Sequence, residues 1–80
     1  MEPNKLPSEQ EVIVDTLNGL LIGAYRQLTE AQVAEQTFQA LNVLDPNADI
    51  QHSLGNEQRK IKALTQQIRI IKDRLEKVAK

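Results

Sequence analysis

The 80-residue chain has no cysteine and no tryptophan, and only one Phe, one Tyr and one His. Without cysteine there is no disulfide framework, no thiolate zinc site and no thiol nucleophile. A single histidine cannot make a multi-histidine metal cluster within one chain. Apolar runs of about 18 residues, the minimum for a spanning helix, are also missing. The start, Met1-Glu2-Pro3-Asn4-Lys5, lacks the basic and apolar stretches of a signal peptide. These absences imply a soluble, cytoplasmic protein without a membrane partner. Length limits the chain to one core.

What is present is aliphatic and unevenly charged. Leu, Ile and Val together number 22, and the net charge is −1. Residues 1–56 carry eight acids against Lys5 and Arg26, whereas residues 57–80 carry eight bases against Glu57, Asp73 and Glu76. An acidic front and a basic tail can bind each other, within one chain or between two, or the tail can serve an external anion.

The patterning predicts an all-α chain: a helical hairpin or a three-helix arrangement, with helices near 9–28, 30–44 and 46 or 56 to 79. Residues 1–7, with Pro3 and Pro7, read as a flexible lead to a single helical domain over 8–80. Ser8 and Glu11 form a capping box. Val14, Leu17, Leu21, Ala24 and Leu28 then follow at the 3-4 spacing of an amphipathic helix, with Ile13 and Leu20 widening the stripe. Thr29 and Gln32 repeat the capping pattern, and Leu28 with Val33 fits a hydrophobic staple. This predicts a break near Leu28-Thr29 and a second helix with Val33, Thr37, Phe38, Ala40, Leu41 and Leu44 inward. The alternative is one helix over 9–44, because nothing between Ala24 and Leu44 stops a helix outright. A further rival is a β-hairpin at Asn18-Gly19, after the β-branched Val12-Ile13-Val14. Its flanks do not alternate, and no third strand supports it. Asp45-Pro46-Asn47 is the clearest turn, with Asp45 expected to cap a new helix that begins at Pro46.

The strongest signal is the heptad run near the C-terminus. Ile61, Ile68 and Leu75 alternate with Leu64, Ile71 and Val78, so all six seam positions over three heptads are apolar. Such a seam predicts coiled-coil-like packing. The flanking positions, Thr65, Lys72 and Ala79 on one side and Lys60, Gln67 and Arg74 on the other, hold no acid. That disfavours a parallel zipper with itself and favours packing against the acidic N-terminal helices. Ile70 lies outside the seam and widens the apolar surface. Gly19-x-x-x-Gly23 predicts a close helix crossing, since small residues one turn apart admit a neighbouring helix.

Apolar surface in excess of what one hairpin covers predicts a homodimer or an intermolecular helical bundle. The expected interface residues are Leu17, Gly19, Leu21, Gly23, Ile61, Leu64, Ile68, Ile70, Ile71, Leu75 and Val78. Tyr25 and Phe38 are expected in the core. The functional expectation is a non-enzymatic protein–protein interaction module, such as an oligomeric adaptor, chaperone or regulator. The alternative is a nucleic-acid-associated accessory protein, with Arg59, Lys62 and Arg69 along phosphates. That alternative lacks any stacking aromatic in the basic segment, and opposite charges at i, i+4 there suit a solvated helix face. No glycine-rich phosphate loop or catalytic constellation is present, and no cofactor or metal is expected.

Overall fold

The computed structural model describes residues 8–79, and they fold as two antiparallel helices. The first, α1, spans Glu9–Leu44, and the second, α2, spans Ala48–Ala79. The principal extents are 65 × 24 × 13 Å, so the hairpin is one helix thick. The proposed lead over 1–7 lies outside the described residues.

Ser8 opens α1 as its sequence predicts: its Oγ accepts from the Glu11 amide at 3.2 Å, and its carbonyl accepts from the Val12 amide. This satisfies donors that the first turn leaves over. The predicted break at Leu28-Thr29 does not occur, and the three-helix arrangement falls with it. A capping pattern starts a helix only where the preceding one stops, and no Gly or Pro stops this one. Thr29 therefore stays helical, and its hydroxyl donates to the Tyr25 carbonyl one turn back, as Thr37 does to Val33. The Asn18-Gly19 hairpin is likewise absent, both residues lying within α1.

The turn differs in detail from expectation. Asp45 closes α1, its amide donating to the Leu41 carbonyl at 2.9 Å. The cap of α2 is Asn47, whose Oδ1 accepts from the Ile50 amide at 2.9 Å. Pro46 lies between the two caps and donates nothing, so the reversal needs only three residues. Gly55 does not interrupt α2.

The two helices meet along one seam. On α1 it follows Val14, Leu17, Leu21, Ala24, Leu28 and Ala31, and continues in the same phase through Glu35, Phe38 and Asn42. On α2 it follows Leu54, Glu57, Ile61, Leu64, Ile68, Ile71, Leu75 and Val78. Ala24, Ala31, Leu64 and Ile68 are buried, and the others are half-buried. The small alanines of α1 let the two large side chains of α2 sink at mid-hairpin. The seam changes character along its length. It is wholly apolar toward the chain ends, but Glu35, Asn42 and Glu57 enter it on the turn side.

Continuity of phase overturns the predicted inward set beyond Leu28. Phe38 is in the seam, but Val33, Thr37, Ala40, Leu41 and Leu44 are exposed. The large apolar side chains Val33, Leu41 and Leu44 lie on a different stripe from the one that faces α2. The helix instead keeps the phase set by its first four turns and carries Glu35 and Asn42 into the seam.

Candidate functional site

The residues singled out in the sequence fall into three places. Ile61, Leu64, Ile68, Ile71, Leu75 and Val78 of α2, with Leu17 and Leu21 of α1, lie in the seam between the helices. Their apolar faces are thus engaged by the chain's own partner helix. Ile70 stands clear of the seam and is 59% exposed. Gly19 and Gly23 are not approached by α2: a Cβ built on either meets nothing within 4 Å. The predicted close crossing at these glycines is therefore absent within the hairpin, because both lie off the row that faces α2.

What distinguishes the surface is α1. Val12, Ile13, Leu20, Ile22, Val33, Leu41, Val43 and Leu44 are all exposed, with Ile22 at 71% and Val43 and Leu44 each at 82%. The apolar residues surround α1, whereas those of α2 keep largely to one stripe. A helix apolar on every side is usually enclosed by neighbours. Monomeric proteins rarely expose continuous apolar patches of more than a few hundred Å².

Compared with protein-family models, curated proteins and solved structures, the chain matches none. Its site is therefore defined by geometry alone.

The two broad sides of the hairpin differ. On one, a groove is lined by Ile13, Leu17, Ile70 and Val78 with the charged Arg69, Asp73, Arg74 and Lys77. Another on that side is lined by Gln27, Glu30, Ala34, Lys60, Ala63 and Gln67. A third includes Phe38, Ser53, Asn56 and Ala63. The other side carries Asn18, Tyr25, Gln32 and Gln39 of α1 beside Gln58, Thr65 and Lys72 of α2, all exposed. Tyr25 is thus not a core residue. Its ring lies under the Lys72 ammonium, which is 5.3 Å from the ring centroid.

Two ion pairs among the described residues form within α2. Lys60 Nζ lies 3.1 Å from Glu57 Oε1, and Lys77 Nζ lies 3.0 Å from Asp73 Oδ2. Arg59 donates to Asn56 Oδ1. Lys62 and Arg69 are exposed and take part in no ion pair among the described residues. His52 is exposed as well, and no group of three or more acidic or imidazole side chains among the described residues could hold a metal. No described helix is long and apolar enough to cross a membrane.

Proposed function

We propose that the protein is a non-enzymatic helical interaction module of the adaptor, chaperone or regulator kind, acting in the cytoplasm through apolar helix faces. Its first partner is a second copy of itself, with which it builds an intermolecular helical bundle, and that assembly presents further surface to another protein. The observation that carries this reading is the mismatch on α1. Glu35 and Asn42 are half-buried in the seam, while Ile22, Val33, Val43 and Leu44 stand in solvent. A sequence selected for the isolated hairpin would place these residues the other way round, and such local conflicts gather at functional surfaces. The heptad spacing of α2 fits coiled-coil packing on α1. Sedimentation equilibrium tests the reading: a reversible dimer or larger species at tens of micromolar is expected, and a stably folded monomer there overturns it.

One observation supports a second reading, association with nucleic acid. Arg59, Lys62 and Arg69 share an exposed face of α2, spaced by about one turn and then about two, and α1 does not cover them. Phosphate binding would weaken steeply with salt. Retention of a generic duplex at physiological salt, lost on raising it, would promote this reading over the first.

A further inference from the structure

We infer that the second copy packs against the broad side of the hairpin that carries Ile13, Leu20, Leu41 and Ile70, with α1 of each copy lying along α2 of the other. The inference rests on the self-association just proposed and adds which face is used and in which orientation.

The choice of face follows from comparing the two broad sides. Ile13, Leu20, Gln27, Ala34 and Leu41 recur every seven residues, each immediately before a seam position of α1. Four of the five are apolar. The corresponding row on the other side of the seam is Asn18, Tyr25, Gln32 and Gln39. Helices of a bundle that bury two neighbours carry apolar residues at the seam and along one flank, which is the pattern of α1. Ile70 continues the apolar surface onto α2, 59% exposed, beside the groove it shares with Ile13 and Leu17. The grooves on this side are left by a seam that one partner helix does not fill.

Size is adequate. The hairpin is 24 Å across. At 1.5 Å per residue the paired length is about 48 Å. A standard interface needs about 800 Å² from each partner.

Charge selects the orientation. Two copies meeting on this side can be related by a two-fold axis across the helices or along them, since a closed dimer presents the same patch twice. An axis across the helices stacks α2 on α2 with its direction reversed, so that Lys60, Arg74 and Lys77 of one copy fall over the equally basic α2 of the other. An axis along the helices stacks α1 on α2. Between residues 9 and 44 the chain has five acids and one base, and between 48 and 79 it has seven bases and four acids. The second orientation therefore sets unlike charges against each other. Rotation about an axis along the helices leaves each residue at its own level. Glu30 and Lys60 line one groove, so Glu30 of one copy then faces Lys60 of the other. By the same rule Leu20 of one copy lies near Ile70 of the other.

The absence of cysteine makes the test direct. Leu20→Cys and Ile70→Cys are prepared as separate single variants at exposed positions, mixed, equilibrated and oxidised with diamide. The expected result is a mixed Leu20→Cys/Ile70→Cys disulfide dimer, at least tenfold more abundant than either variant linked to itself. A Gln27→Cys variant that links to itself more efficiently than this pair would establish the crosswise axis and overturn the inference. So would failure of the mixed pair to link while sedimentation of the same variants shows dimers; the self-association reading would then survive with a different face. Monomers in sedimentation would overturn both.

Discussion

Lys72 of α2 places its ammonium 5.3 Å from the ring centroid of Tyr25 of α1, the one described contact of a cation with an aromatic face. It joins the two helices on the polar side, where neither residue belongs to the seam. A cation over an exposed ring is worth about 0.5–1 kcal/mol. Tyr25→Leu is expected to lower stability by about that amount, and Tyr25→Phe by less, because the ring face remains. Thermal melts of the two variants and of Lys72→Met, with a double-mutant cycle, measure the coupling.

The seam assignment makes a sharper contrast. Ile68 is 6% exposed, whereas Gln66 points outward from the same turn of α2. Ile68→Asp removes a buried side chain and inserts an unpaired charge, for an expected loss of about 3 kcal/mol or more. Gln66→Asp is expected to stay within about 0.5 kcal/mol. Urea denaturation of both distinguishes them, and equal midpoints would refute the seam.

Gly19 sits in the middle of α1 with open space where a Cβ would stand. Glycine in a helix interior costs roughly 0.5–1 kcal/mol relative to alanine. Gly19→Ala is therefore expected to stabilise the hairpin by that amount, a rise of several degrees in Tm. A fall instead would reveal that another chain approaches the backbone there.

Asn42 carries a buried Oδ1 with no hydrogen-bond partner. An unsatisfied buried polar group costs about 1–3 kcal/mol. Asn42→Leu is expected to raise stability toward the lower end of that range, since the residue as a whole is only half-buried. Chemical denaturation checks this.

The all-helical hairpin, the capping at Ser8, the turn at Asp45-Pro46-Asn47 and the α2 seam were all legible in the sequence, because each has a local physical signature. The six heptad positions from Ile61 to Val78 needed no knowledge of the partner helix. The course of α1 beyond Leu28 was not legible in the same way. Capping residues at Thr29 and Gln32 argued for a start, and the large apolar residues Val33, Leu41 and Leu44 argued for a face, yet both signals lost to continuity of the helix. One clue was available: Ala31 and Phe38 keep the spacing of Leu17 and Ala24, but small or polar neighbours at 35 and 42 hid it. The mixed cap at the turn was equally ambiguous, as Asp45 and Asn47 are both capping residues and only the backbone decides between them. The contact face could not be read in advance, because which side of the seam is apolar depends on which rows of two helices share it.

The distribution of polar residues along the seam bears on how the chain opens. The reversal at residues 45–47 ties the helices together at the end where Glu35, Asn42 and Glu57 interrupt the apolar contact. The four buried residues lie farther along, at mid-hairpin, and the far end is fastened by Gln10, whose Nε2 donates to the Val78 carbonyl at 2.8 Å. Bringing Leu28 and Leu64 together therefore closes a loop of more than thirty residues before much apolar surface is recovered. The tether supplies proximity and little cohesion, so the chain is not built to zip from its turn. Native-state fluctuations should begin as a widening of the connected end, with amides flanking the turn exchanging ahead of those around Ala24 and Ile68.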